Sequence, residues 1–236
     1  MHKVPCFSAP SLSMLKTVHH GFFGRESQDH NSQVCELFGL ECDRLVMLQQ
    51  QHTDIVHVVH QPFTDMPIGD ALITMQPNLM LAIRTADCAP VLLADPVKKI
   101  VAAVHAGWRG AVKGILETTV QKMVELGAGL SDLCVAIGPC IWQSSYEIGP
   151  DFIESMKSYP GAFAADFFIK SEQANHFYFD LPGYVQHRLL QAGVKAIDPS
   201  PFDTYANPDR FFSYRYETLK HLPATGRQLS VICLKD

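Results

Sequence analysis

Two uninterrupted apolar runs, joined by a short turn, constrain this chain more than any other feature. The stretch Thr85–Gly110 reads TADCAPVLLADPVKKIVAAVHAGWRG. Pro90–Ala94 predicts one buried strand and Ile100–Val104 a second. Asp95-Pro96-Val97-Lys98-Lys99 between them predicts a tight turn. Cys88 stands just before the first strand, and His105 ends the second. After His105 come Ala-Gly-Trp-Arg-Gly and a long helical pattern. A strand, a glycine-bearing turn and a helix start together form a ready place for an anion.

Composition narrows the function classes. The 236 residues are 47% hydrophobic and 18% charged, enough to bury a substantial core in one large domain or two small ones; with no clear linker they read as one domain spanning residues 1–236. The net charge of −5 and the scattered basic residues argue against a nucleic-acid partner. The opening residues MHKVPCFSAPSLSML lack the unbroken apolar core of a secretory leader. No run of about 18 apolar residues is present, so no membrane span is expected. Seven cysteines without such a leader suit reduced thiols and a cytoplasmic setting.

Along the chain, residues 1–16 predict a loose or edge segment. Strands are expected at Val18–Phe23, Arg44–Gln49 and Ile55–Val59, with a short helix ending at Gly39 and a turn over Gln50–Thr53. Further strands are expected at Asp70–Thr74 and Leu79–Arg84. The apolar residues Val112, Ile115, Leu116, Thr119, Val120, Met123 and Val124 recur at helical spacing, predicting a helix over 110–126. Beyond it come a strand at Leu133–Ile137, a strand at Tyr146–Ile148 and a helix from Pro150. A strand at Phe177–Asp180, a helix over Leu181–Ala192, a loop over Pro199–Pro208 and strands at Phe211–Tyr214 and Leu229–Leu234 complete the reading. Paired strands interrupted by a few helices indicate an α+β or mixed α/β fold.

His52, Cys88 and His105 combine most usefully. Two imidazoles and a thiolate leave a fourth position open, as a catalytic zinc requires. The same set suits a blue-copper centre, although 11 histidines without a His-x-His pair poorly support several coppers. Cys88 and His105 also read as nucleophile and base, with Asp87 or another group as orienter. The plainest alternative is a buried thiol with two hydrogen-bonded histidines. Arg109, at the expected helix start beside Gly107 and Gly110, is a candidate phosphate ligand. Arg25 and Arg215 stand in glycine or aromatic surroundings. Glu147 and Asp180, at strand ends, are candidates for ribose hydroxyls, and Trp108 for stacking on a base. Cys134 and Cys140 read as structural, and His57 as an ordinary strand residue.

These residues carry a family resemblance. HGFFGR at 20–25, QQQHTDIV at 49–56, DALIT at 70–74, RTADCAPVLLAD at 84–95 and VAAVHAGWRG at 101–110 occur in order. AIGPCI at 136–141, YEIGP at 146–150, YFDL at 178–181, RFFSYR at 210–215 and TGRQLS at 225–230 follow. The chain thereby resembles the polyphenol oxidase or laccase-domain family, whose members act as purine nucleoside phosphorylases. The resemblance implies an α+β fold, a layered α/β/β/α sandwich with mixed sheets, similar to cytotoxic-necrotizing-factor-like cysteine hydrolases.

The resemblance further implies zinc, with copper as the alternative, held by His52, Cys88 and His105. It implies phosphorolysis of adenosine, inosine, guanosine and methylthioadenosine, with adenosine deamination as an added activity. Purine nucleoside and phosphate would be the partners, and the assembly a monomer or homodimer. Other relatives are described as factors that edit peptidoglycan precursors, which suits a Cys–His amide hydrolase, or as copper-dependent polyphenol oxidases. The chain departs from the family pattern at Glu26–His30, which replaces a glycine-rich segment. It departs again at Ser32, where an arginine is usual, at Asp203, where a cysteine is common, and at Trp142–Ser145. The metal set is intact, and the changes fall on the substrate side.

Overall fold

The two apolar runs pair antiparallel along their whole length in the structure, a computed structural model describing residues 5–28, 30–224 and 226–235. In chain order the elements begin with β1 (Cys6–Phe7), α1 (Pro10–Ser13), β2 (Val18–Phe23), α2 (Asn31–Leu37), β3 (Leu45–Val46) and β4 (Val56–Val58). They continue with β5 (Ala71–Thr74), β6 (Met80–Thr85), β7 (Ala89–Asp95), β8 (Ile100–Ala106), α3 (Trp108–Lys113), α4 (Ile115–Glu125) and β9 (Cys134–Ile137). The last third holds β10 (Glu147–Ile148), α5 (Pro150–Lys157), β11 (Phe168–Lys170), β12 (Phe177–Phe179), α6 (Leu181–Gln191), β13 (Ala196–Asp198), α7 (Tyr214–Leu219) and β14 (Gln228–Leu234).

The strands assemble into a five-stranded mixed sheet in the order β1-β2-β14-β6-β3 and a six-stranded mixed sheet in the order β13-β9-β7-β8-β5-β4. A third sheet, β10-β12-β11, has three strands. Side chains alternate across each strand, and this alternation builds the layers. Leu81, Ile83 and Ile232 of the first large sheet meet Leu72, Leu92, Val101 and Ala103 of the second in one buried cluster. The other face of the second sheet, through Val91, Leu93, Ala102 and Val104, packs on Ile115, Leu116 and Val120 of α4 and Val185 and Leu189 of α6. The outer face of the first sheet, through Met80, Ala82 and Val231, packs on Val34 and Cys35 of α2. The order of layers is therefore helix, sheet, sheet, helix.

Several expectations change. The helix expected over 110–126 is two helices, because Gly114 between α3 and α4 adopts φ +100°, a left-handed conformation that suits glycine. Phe211–Tyr214 is not a strand. Ser213 there accepts a hydrogen bond from the Tyr216 N–H and caps α7, the usual role of serine at a helix start. The strand expected over Arg44–Gln49 is reduced to Leu45–Val46 and a single bridge from Gln49 to Ile68. His105 stands at the end of β8 as expected, one residue before its last, Ala106. The short strand β13 was not foreseen; its parallel partner is β9. Of the expected edge segment 1–16, residues 1–4 lie outside the described residues, and Cys6–Phe7 does form the edge strand. In the altered segment 26–30, Asp29 likewise lies outside the described residues.

Candidate metal centre and active site

Strand register brings the site together. Ala71 of β5 pairs with Val104 of β8, so the next position along places Asp70 opposite His105. The His105 N–H donates to the Asp70 carbonyl at 2.7 Å, and His105 Nδ1 donates to the Asp70 carboxylate, also at 2.7 Å. A carboxylate can only accept, so Nδ1 carries a proton and Nε2 is the nitrogen left to face a metal, which would displace any proton there. The same carboxylate accepts the N–H of His52 at 3.1 Å, and the N–H and hydroxyl of Thr53 at 2.6 Å each. It thereby holds His52 in a left-handed turn with φ +57°.

Ala89 of β7 pairs with Ala106 of β8, so Cys88 falls opposite Gly107. A Cβ on Gly107 would lie 2.7 Å from His52 Cδ2 and 2.9 Å from Cys88 Sγ. Glycine here is what lets the thiol and the imidazole converge. Cys88 Sγ is 3.7 Å from His52 Nε2, and one ligand atom from each of His52, Cys88 and His105 lies within 4.8 Å of the others. Two free imidazole nitrogens, a sulfur and a carboxylate behind one ring fit a metal ion. No other group of three such donors occurs among the described residues.

The electrostatics agree with the geometry. Burial opposes ionisation of Cys88, but His105 and His52 facing the sulfur outweigh it and bring the thiol down to about 6. Burial opposes the His105 cation, but the Cys88 thiolate and the Asp70 carboxylate raise it to about 9. For Asp70, burial works upward, yet bonds from His105 and Thr53 hold the carboxyl well below the usual range.

Asp87 has a different task from the one expected. The chain leaves one large sheet after β6 and enters the other at β7, turning at Asp87 with φ +81°. The buried carboxylate accepts the Thr204 hydroxyl and the Arg215 N–H, both at 2.7 Å. It pins the crossover to α7, and Asp70 is the group that orients His105. Burial pushes the Asp87 carboxyl upward.

A cavity of about 700 Å³ opens over the three donors. Arg84, Arg109, Arg215 and Arg227 line it, with Trp108, Tyr146 and Tyr214, while among the described residues Asp87 is the one carboxylate in the lining. The Arg109 guanidinium lies 4.5 Å from the centre of the Trp108 ring, and Trp108 packs on Phe152 at 4.3 Å. Arg215 lies over Tyr146 at 5.3 Å and donates to the Glu147 carbonyl.

A model of the family described as multi-copper polyphenol oxidoreductase laccase matches residues 24–235. The chain belongs to this family. It is 37% identical over 191 residues to a Rickettsia prowazekii protein named purine nucleoside phosphorylase, covering 81% of this chain and 78% of that one. A Deinococcus radiodurans protein of the same name is 35% identical over 210 residues, covering 89% and 78%. Among solved structures, Bacillus licheniformis YfiH superposes with a TM-score of 0.82 at 26% identity, covering 92% of this chain and 93% of that one. A Neisseria meningitidis protein superposes with a TM-score of 0.80 at 25% identity over the full length of both chains.

Of the residues singled out in this laccase-family sequence, His52, Cys88, His105, Trp108, Arg109 and Arg215 converge on the cavity. Arg25, Glu147 and Asp180 are not among its lining residues. Arg25 donates to the Pro208 and Phe211 carbonyls, lies over Phe212 and pairs with Glu217 at 3.7 Å. Glu147 accepts the Ser171 hydroxyl. Asp180 caps α6 through the Gly183 N–H. These partners give the three residues structural work. Sequence reasoning missed Asp70, Arg84, Tyr146 and Arg227 as site residues. Asp70 and Arg84 each begin a quoted family run, and Arg227 lies within another. No helix among the described residues is long and apolar enough to cross a membrane.

Proposed function

We propose that this chain is a zinc-dependent purine nucleoside phosphorylase acting on adenosine, inosine, guanosine and methylthioadenosine. One observation carries the reading: the three-donor cluster opens into a cavity lined by four arginines and by the rings of Trp108, Tyr146 and Tyr214. Relatives named purine nucleoside phosphorylase support it. Zinc suits two imidazoles and a thiolate, and when bound it supplies Lewis-acid polarisation of an oxygen. The cluster supports a single ion, in contrast to the several coppers in the family's description.

The chain's own residues supply positioning and charge. Arginines offset the charge of the phosphate as its oxygen approaches the anomeric carbon. The bond from that carbon to the purine nitrogen breaks, and its electron pair leaves with the base, which takes up a proton. Trp108 and Tyr146 offer apolar surface to the base. Burial pushes the Tyr146 phenol upward, so it stays protonated and can donate.

Chromatography of adenosine incubated with the metal-loaded protein tests this reading. Adenine formed only with phosphate supports it, and inosine in either tube adds deamination. Intact adenosine in both tubes overturns it.

One observation favours a second reading, a Cys88–His105 amide hydrolase: Asp70, His105 and Cys88 are arranged as orienter, base and low-pKa thiol. Chelation separates the two, because it abolishes the zinc-dependent activity and spares or raises the thiol-dependent one.

A further inference from the structure

The larger cavity has a smaller neighbour of about 250 Å³, lined by Ser27, Gln28, Asn31, Met47, Arg84, Arg227 and Leu229. Arg84 and Arg227 line both cavities. Strand register explains why. Leu229 of β14 lies opposite Arg84 of β6, and Gln228 lies opposite Thr85. Arg227 is therefore the diagonal neighbour of Arg84, at the spacing that puts both side chains on one sheet face, with Cα atoms roughly 7–8 Å apart. That face is the outer one, shared with Met80, Ala82 and α2.

Two guanidiniums so placed repel each other unless an anion sits between them. Among the described residues no carboxylate lines the smaller cavity. Asp87 in the larger one is taken up by Thr204 and Arg215. Glu217, which feels the charge of Arg227, is paired with Arg25. The Arg84 backbone is committed on both sides, since its N–H donates to Gln50 and its carbonyl accepts from Gln50. The strand end is thus fixed while the guanidinium projects from an exposed residue. Gln28 also lines the smaller cavity, and the NH2 of its carboxamide can donate to an anion.

We propose that Arg84 and Arg227, with the Gln28 carboxamide, form a subsite for a phosphoryl group beside the metal centre. The inference deepens the phosphorylase reading by naming where the phosphate is held. Two sources share this chemistry, inorganic phosphate as co-substrate and the 5′-phosphate of a nucleotide.

The test is titration calorimetry of the full-length, metal-loaded protein with inorganic phosphate and, separately, with adenosine 5′-monophosphate. The wild type is compared with Arg84→Gln, Arg227→Gln and Gln28→Ala, each checked for native circular dichroism. Each arginine substitution should weaken binding about 10- to 100-fold, the usual effect of losing one charge-assisted hydrogen bond, and Gln28→Ala by less. The same variants should raise the KM for phosphate more than the KM for adenosine. Tighter binding of inorganic phosphate marks the co-substrate as the occupant. Tighter binding of the monophosphate, with the same dependence on both arginines, marks the nucleotide. Binding of neither probe by the wild type, or wild-type affinity in both arginine variants, overturns the subsite. If adenosine is not phosphorolysed while arginine-dependent binding remains, the phosphorylase reading fails and the subsite stands.

Discussion

The Asp70 carboxylate lies 2.7 Å from His105 Nδ1 and accepts the His52 N–H at 3.1 Å. One buried side chain thus sets the ring of one donor and the backbone of another. Asp70→Asn keeps the shape but loses the charge that fixes the His105 tautomer. We expect zinc affinity to fall about 10- to 100-fold, the usual effect of removing a carboxylate behind a ligating histidine. Competition with a chromophoric chelator measures it, and unchanged affinity would remove Asp70 from the centre.

The same carboxylate predicts an acid response. Its folded-state pKa is depressed, so its contribution to stability is present above the unfolded value of about 3.9 and is lost as pH falls through the folded one. Wild-type stability should drop on acidification below about pH 4 more steeply than that of Asp70→Asn. Denaturant midpoints across that range decide the matter, and parallel curves for the two proteins would contradict the assignment.

Thiol reactivity reports on Cys88. In metal-stripped protein its alkylation by iodoacetamide should rise with pH around a midpoint of about 6, because His105 and His52 favour the thiolate. Ordinary thiols titrate near 8.5. His105→Ala should move the midpoint upward. A wild-type midpoint at the ordinary value would show that the histidines do not act on the sulfur.

Gly107 has no room for a side chain. Gly107→Ala puts a methyl group 2.7 Å from His52 Cδ2 and 2.9 Å from Cys88 Sγ, so the two donors must part. Bound zinc, counted by elemental analysis, should fall well below one per chain while the circular dichroism spectrum stays native. Full zinc occupancy in this variant would mean that the donors converge differently.

Gly114 is a separate, structural test. Its φ of +100° penalises any Cβ, so Gly114→Ala should destabilise the fold by about 1–2 kcal/mol. Urea denaturation reads this directly, and a stabilised variant would show that α3 and α4 can run as one helix.

Local pattern determined much of this protein. The two apolar runs located β7 and β8 to within two residues, because short, branched apolar runs bounded by turn residues favour buried strands. The donor types at His52, Cys88 and His105 were legible because few side chains bind a metal. The partnership of Asp70 with His105 was not legible, since 35 residues separate them and only the register of β5 on β8 makes them neighbours. The same holds for Arg84 and Arg227, which belong to one face only because β6 and β14 pair. Arg25 illustrates the reverse case. An arginine's chemistry suits phosphate anywhere, but here backbone carbonyls and Glu217 claim it. Residue type set which chemistry was available, and long-range strand pairing decided which residues share the cavity, because pairing depends on contacts that no local stretch of sequence contains.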